Sequence, residues 1–149
     1  MMEPAKAIRT ARVLLTISCA EFFGPALRDT GVSHLLNPAW VGHARVHLAW
    51  LLGFMVCSGV CNLYFIWRRR MPKVPDLKLS CLWQGCNIVG FWIAVVFVGA
   101  YEGAMIDPLY HMHIFGIEEN TFAFSVLTAI LVAAIALVYS ASKHEAQAV

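Results

Sequence analysis

Long apolar segments separated by polar ones run through most of this chain. Residues 46–67 and 79–101 contain no Asp, Glu, Lys or Arg, and residues 121–140 form a third uncharged segment of similar length. A helix of about 20 apolar residues is long enough to cross the hydrocarbon core of a bilayer. These three segments are therefore predicted transmembrane helices.

The first apolar segment is shorter than the others. Residues 13–27 are mostly apolar but include Glu21 and Pro25. A spanning helix must begin before this segment, with its arginine side chains extending to the membrane interface. We predict a first span over about residues 8–27, kinked or ended by Pro25 because proline lacks a backbone N–H. No small-residue cleavage site follows the basic lead, so the segment is predicted to stay in the chain.

Four spans joined by loops of moderate length predict an all-α fold. The expected architecture is an integral membrane four-helix bundle in up-down-up-down order, with residues 1–149 as its single domain. Gln84 and Asn87, inside the third span, are expected to hydrogen-bond across helices. The composition agrees, because the chain is 60% hydrophobic and only 13% charged, about half the charged fraction of a soluble domain.

Lysines and arginines are unequally distributed between the predicted loops. Nine of the eleven lie before the first span, between the second and third, or after the fourth, and only Arg28 and Arg45 fall on the opposite side. Basic loops remain on the cytoplasmic side of a membrane. We therefore predict a multi-pass protein of the plasma or inner membrane with both termini in the cytoplasm. Loops 28–45 and 102–120 would then face outward.

The outward-facing loops hold most of the histidines. The segment Asn37-Pro-Ala-Trp-Val-Gly-His-Ala-Arg-Val-His47 places two histidines four residues apart, on one helix face. Glu21 and Glu102 would lie near the same membrane face, so we predict one shared cavity there. The candidate residues are Glu21, Arg45, His47 and Glu102 for catalysis, His43, His47, His111 and His113 for metal binding, and His34, Asn37, Trp40 and Asp107 for the substrate pocket.

Two chemistries suit these residue types. Imidazoles four apart, together with carboxylates, are ligands that iron, zinc and copper accept. Without a metal, Glu21 would act as a buried general acid or base, with His47 as its partner and Arg45 stabilising negative charge. Structural alternatives stay open, because Glu21 could pair with Arg45, and His43 and His47 could form a polar first turn of the helix.

A longer pattern covers residues 29–47. It consists of Asp29, then Ser33-His34-Leu35, then Asn37-Pro38-x-Trp40-x-x-His43-Ala44-Arg45-x-His47. The pattern resembles the S/T-H-x-x-N-P-x-W-x-x-H-A-R/K-x-H signature of a family of small four-helix membrane proteins of unknown function, found in bacteria and fungi. Val41, Gly42 and Val46 depart from proline or aromatic residues of that family. The resemblance implies the four-helix architecture and emphasises the motif residues, but it implies no reaction.

The leading hypothesis is a small membrane-embedded enzyme that acts on an apolar or lipid-like substrate at this His/Glu cluster. One version is a metal-dependent oxidoreductase using iron, zinc or copper. The other is a metal-free acid–base isomerase or cyclase in which Glu21 is the acid or base. A proton-coupled transporter or an accessory membrane subunit is the alternative from another class. The expected partners are membrane lipid, an apolar small molecule and further copies of the chain in a homo-oligomer, with no nucleic acid.

Overall fold

The structure is a computed structural model that describes residues 3–69, 71, 73–107, 110 and 112–147. Helices dominate this part of the chain. The α-helices are α1 (Pro4–Ser18), α2 (Ala20–Asp29), α3 (Gly42–Trp67), α4 (Val74–Val96) and α5 (Glu119–Gln147). A short 3-10 helix (Val98–Tyr101) follows α4, and a two-stranded hairpin, β1 (His113–Ile114) and β2 (Ile117–Glu118), precedes α5.

Helices α3, α4 and α5 are each long and apolar enough to cross a membrane. The prediction of an all-helical protein with long apolar helices is confirmed to that extent. Helix α4 begins five residues before the predicted span, at Val74. Pro75 stands in its first turn, where the missing proline N–H would have had no intrahelical partner. Helix α5 extends beyond the predicted span, to Gln147.

The first predicted span is divided in two near Cys19. The N–H of Phe22 donates to the Cys19 carbonyl, three residues back, at 3.0 Å, which is the tighter spacing of a 3-10 turn. Pro25 lies inside α2, which continues to Asp29, so the helix does not end at the proline. Among the described helices, neither α1 nor α2 alone is long and apolar enough to cross a membrane.

Helix α1 packs along α5, and small side chains make the contact close. Ala7, Ala11 and Leu15 recur every four residues on α1 and are buried, so they form one stripe. The buried residues of α5 in the same core include Leu131, Ala134, Val138 and Ala141. Alanine at such positions lets two helix backbones approach each other, which anchors α1 to the bundle.

Charged side chains close the end of the bundle where α3 stops and α4 begins, here called the basic end. The Lys73 ammonium is buried and donates to the Phe65 carbonyl at 2.6 Å and to the Arg68 carbonyl at 3.0 Å. These bonds satisfy carbonyl groups at the C-terminus of α3 that have no helical partner. Asp76 balances the charge, because it accepts from Arg68 Nε at 2.8 Å and lies 3.7 Å from Lys73 Nζ. The opposite end, with the α2–α3 loop and the start of α5, is called the histidine end.

Gly59 marks the closest approach of α2 and α3. A Cβ atom built on Gly59 would lie 2.5 Å from Cζ of the Phe23 ring, well inside van der Waals contact. The glycine is therefore required here for space.

We expect Gly59→Ala to lower the free energy of unfolding by about 1–3 kcal/mol, the usual effect of overpacking. Phe23→Leu in the same chain should restore part of the loss, because it removes the ring atoms that conflict with the new methyl group. Thermal unfolding in detergent measures both effects. The matched control is Gly53→Ala, since a Cβ there has no neighbour within 4 Å. If Gly59→Ala is as stable as this control, the helices do not pack through this contact.

Candidate functional site

A cavity of about 580 Å³ lies between α2, α3, α4 and the start of α5. Apolar side chains form most of its wall. They include Phe22, Leu48, Leu52, Met55, Phe91 and Phe124. Asp29, His34 and Asn120 line it at the histidine end, and Asn87 contributes from α4. The volume and the few polar groups are typical of a site for a small molecule.

The cavity opens sideways between α3 and α4. These helices are in contact nearer the basic end, where Ser80 Oγ donates to Asn62 Oδ1 at 2.8 Å. Closer to the histidine end, Leu51 and Phe54 line the cavity and are 53% and 56% exposed. The rim of the opening is therefore apolar.

Asp29 and His34 form a carboxylate–imidazole pair in the cavity wall. Asp29 Oδ1 lies 3.5 Å from His34 Nδ1, and Ser33 Oγ lies 2.9 Å from the same nitrogen. A carboxylate that orients an imidazole is a frequent arrangement for proton transfer.

Arg28 ties the end of α2 to the segment before α5. Its Nη2 donates to Glu119 Oε1 at 3.0 Å and to the Tyr110 carbonyl at 2.6 Å, and its Nη1 reaches Ser33 Oγ at 3.5 Å. These bonds hold together the two sides of the cavity that carry Asp29 and Asn120.

Asn37 and Arg45, predicted as pocket and catalytic residues, hold the α2–α3 loop. Asn37 Nδ2 donates to the Ser33 carbonyl at 3.3 Å, and its Oδ1 accepts from the Ala39 N–H at 2.9 Å. Arg45 donates twice to the Trp40 carbonyl, from Nε at 3.0 Å and from Nη2 at 2.9 Å. Both side chains thus bind backbone groups of the loop and help to shape it.

Trp40 connects this loop to His34. The two rings pack edge to face with their centroids 5.6 Å apart, and both line a second cavity of about 360 Å³ together with Asp107. Asp107 Oδ1 also accepts from the Tyr110 N–H at 2.9 Å. Three of the predicted pocket residues, His34, Trp40 and Asp107, thus lie together.

His43 and His47 lie side by side on α3, as their spacing predicts. Their Nε2 atoms are 3.0 Å apart and their ring centroids 4.5 Å apart. Both side chains are exposed. His47 lines an apolar groove with Trp50, Leu51 and Phe54. Neither histidine lines the 580 Å³ cavity.

The structure separates the residues for which the sequence predicted one shared cavity. Glu21 is completely buried, in the wall of a 360 Å³ cavity between α2 and the start of α5 that His43, His47 and Glu102 do not line. Glu102 is exposed, with φ at 55°, where the 3-10 helix ends. The physical reason is that residue spacing predicts which side chains share a helix face, whereas the rotation of the helix depends on packing.

The predicted metal ligands do not assemble. His113 is exposed in β1, and His111 lies outside the described residues. Within the described part of the chain, no group of three or more His, Cys, Asp or Glu side chains is arranged to hold a metal ion. The metal-dependent version of the hypothesis is therefore not supported.

Sequence reasoning did not identify Asp29, Asn87 or Asn120 as cavity residues. The position of Asp29, five residues before His34, was a usable signal. Whether the two side chains meet, however, depends on the path of the α2–α3 loop. Asn87 was expected to hydrogen-bond across helices, and its side chain lies beside the Glu21 carboxyl of α2. The contact is longer than a normal hydrogen bond, because Asn87 Nδ2 and both Glu21 oxygens are buried without a partner at normal distance among the described residues.

Comparisons with protein-family models, with curated proteins and with solved structures found no match to this chain.

The start of α5, which carries Asn120 into the cavity, is capped by Glu118. Its Oε2 accepts from the Thr121 N–H at 2.8 Å, and its Oε1 accepts from the Asn120 N–H at 2.9 Å. Burial acts to raise the pKa of Glu118, but the hydrogen bonds from Asn120 and Thr121 outweigh it, so the pKa lies below its ordinary value.

We expect the cap to make stability acid-sensitive. Since the pKa of Glu118 is lowered in the folded protein, its stabilising effect is complete above the ordinary value of about 4.3. The effect is lost as the pH falls through the lower folded value. The melting temperatures of wild type and Glu118→Gln, measured from about pH 7 down to about pH 3, should therefore approach each other at the acid end. The exposed Glu102→Gln is the control, and a constant difference between wild type and Glu118→Gln would contradict the capping role.

Proposed function

We propose that the chain is a four-helix integral membrane protein in which α1 and α2 together form the first, interrupted span. Side chains exposed along α3 and α5, such as Trp50, Val60 and Val132, are apolar, and so extensive an apolar surface suits lipid better than water. The bias of Lys and Arg supports placing the basic end in the cytoplasm and the histidine end on the outer side.

Arg12 supports the start of this first span. Its guanidinium lies 4.2 Å from the centroid of the Trp67 ring, and its Nε donates to the Ile66 carbonyl at 3.0 Å. Arginine and tryptophan are frequent at the membrane interface. Placed end to end, the part of α1 from Arg12 and the whole of α2 are about 26 Å long at 1.5 Å per residue, close to the thickness of the hydrocarbon core.

The activity we propose is metal-free acid–base catalysis on an apolar small molecule that enters the cavity from the lipid. The observation that carries this proposal is the Asp29–His34 pair at the polar end of an apolar cavity open to the side. Asp29 and Ser33 engage His34 Nδ1, which leaves Nε2 to move a proton of the substrate. Isomerisation beside a carbonyl group, or a cyclisation, fits these groups.

Hydrogen–deuterium exchange into an apolar ketone tests this activity. The protein is reconstituted in lipid nanodiscs in D₂O with long-chain methyl ketones, and deuterium next to the carbonyl is followed by mass spectrometry. We expect exchange well above that of empty nanodiscs. We expect His34→Gln to lose about 10²–10⁴-fold, the usual contribution of a positioned base. Exchange equal to that of empty nanodiscs, or unchanged in His34→Gln, would refute the proposal.

A matched pair of glycine variants tests the cavity itself. Gly90 lines the cavity, and a Cβ built there has no neighbour within 4 Å. Gly90→Leu should therefore fill the cavity and suppress exchange without moving the helices. Gly85→Leu, on the same helix and with the same free space, does not line this cavity and should leave exchange intact. Equal rates in the two variants would place the reaction elsewhere.

A further inference from the structure

A stripe of polar side chains on α4 is not used by the proposed chemistry. Asp76, Ser80, Gln84 and Asn87 follow one another at intervals of four, four and three residues, so they lie on one face of the helix. Asp76 is 4% exposed, and Ser80 and Gln84 are 0% exposed. From residue 76 to residue 87 the stripe is about 16 Å long, half the thickness of a bilayer core.

Hydrogen bonds join the middle of this stripe to polar groups of the neighbouring helices. Ser80 Oγ donates to Asn62 Oδ1 at 2.8 Å, and Gln84 Nε2 lies 3.0 Å from Ser80 Oγ and donates to the Leu15 carbonyl at 3.2 Å. We call the whole set the polar column. Its members are Ser18, Glu21, Ser58, Asn62, Asp76, Ser80, Gln84 and Asn87.

Six buried atoms of the polar column have no hydrogen-bond partner among the described residues. They are Ser18 Oγ, Ser58 Oγ, Gln84 Oε1, Asn87 Nδ2 and both carboxyl oxygens of Glu21. A buried polar atom without a partner costs about 1–3 kcal/mol. Buried polar groups are normally bonded to protein or to ordered water, and two members of the column, Glu21 and Asn87, line cavities from which water can enter. The geometry thus favours a hydrated column.

The polar column extends from the basic end of the bundle to the 580 Å³ cavity. At the basic end, Asp76 pairs with Arg68 and Lys73, and the Arg68 side chain is partly exposed. Towards the histidine end, Asn87 lines the 580 Å³ cavity. The neighbouring Glu21 is completely buried.

Few ionisable groups surround Glu21 in the contacts that the structure defines. Cys19 is its titratable neighbour on the same helical segment, and Arg28 lines the same 360 Å³ cavity. Glu21 lines the 360 Å³ cavity, and its neighbour Asn87 lines the 580 Å³ cavity. The Glu21 carboxyl therefore lies where the column meets both cavities.

We propose that the polar column conducts protons between the basic end and the cavity, with Glu21 as its proton-binding group. The Glu21 carboxylate accepts a proton from water on one side, forming an O–H bond, and returns it to water on the other side. No electrons are transferred and no further reactant is needed, because a pH difference or the membrane potential drives the movement. This conduction goes beyond the acid–base chemistry and does not require it.

Proton flux into proteoliposomes tests the proposal. Vesicles contain the full-length protein and a trapped pH-sensitive dye, and a potassium gradient with valinomycin drives protons inward. Wild type should acidify the lumen faster than empty vesicles. Glu21→Gln should reduce the excess rate by about tenfold or more, because the amide no longer binds and releases a proton. Gln84→Leu should do the same, because it makes the centre of the column apolar.

Thr128→Val is the matched control. It removes a hydroxyl that accepts from Trp92 Nε1 at 3.0 Å, inside the same bundle but outside the polar column, and it should leave the flux unchanged. Circular dichroism and size-exclusion chromatography identify variants that fold. Wild-type flux in folded Glu21→Gln or folded Gln84→Leu, or wild-type vesicles no faster than empty ones, would overturn the proposal. Ketone exchange without proton flux would refute the conduction alone, and flux without exchange would refute the acid–base function alone.

Discussion

Polar groups inside an apolar bundle must form their hydrogen bonds with other groups of the bundle. Among the side chains that do so, Gln84 affects the largest part of the structure. Its Nε2 donates to the Leu15 carbonyl and lies 3.0 Å from Ser80 Oγ, so one amide joins α1 to α4. The Leu15 carbonyl belongs to the last turn of α1 and also accepts from the Cys19 N–H at 3.1 Å. The interruption near Cys19 is thereby tied to α4, and the residues that follow it, including Glu21, are carried into the interior of the bundle.

Charged side chains at the two ends of the bundle are paired in different ways. At the basic end, Lys73 and Asp76 satisfy each other and the C-terminus of α3, which closes that end. At the histidine end, Arg28 and Arg45 bind backbone carbonyls of the connecting segments, which leaves the space between α3 and α4 open. Arg28 and Arg45 thus position the residues around the cavity indirectly, by binding the backbone of the segments that carry them.

Segment length and hydropathy were sufficient to predict α3, α4 and α5, because an uncharged run of that length has few other structures available in a chain this apolar. The adjacency of His43 and His47 also followed from the helical repeat. The direction in which they face did not, because α3 is apolar on nearly all sides and its pattern does not determine its rotation. Asp29 and His34 meet only through the path of the α2–α3 loop. That path depends on hydrogen bonds from Asn37 and Arg45 to the backbone, contacts that leave no periodic signal.

The cavity and the polar column make different demands on the same bundle. An isomerisation returns to the product the proton that it removes from the substrate, so Asp29 and His34 need no connection to the opposite end of the protein. Burying a stripe of polar side chains about 16 Å long costs desolvation free energy. The stripe gives an isomerisation no benefit in return. Apolar residues of similar volume would pack α3 against α4 at lower cost. Gln84 joins α1 to α4, but the length of the column is better explained by movement of protons along the bundle than by the chemistry of the cavity.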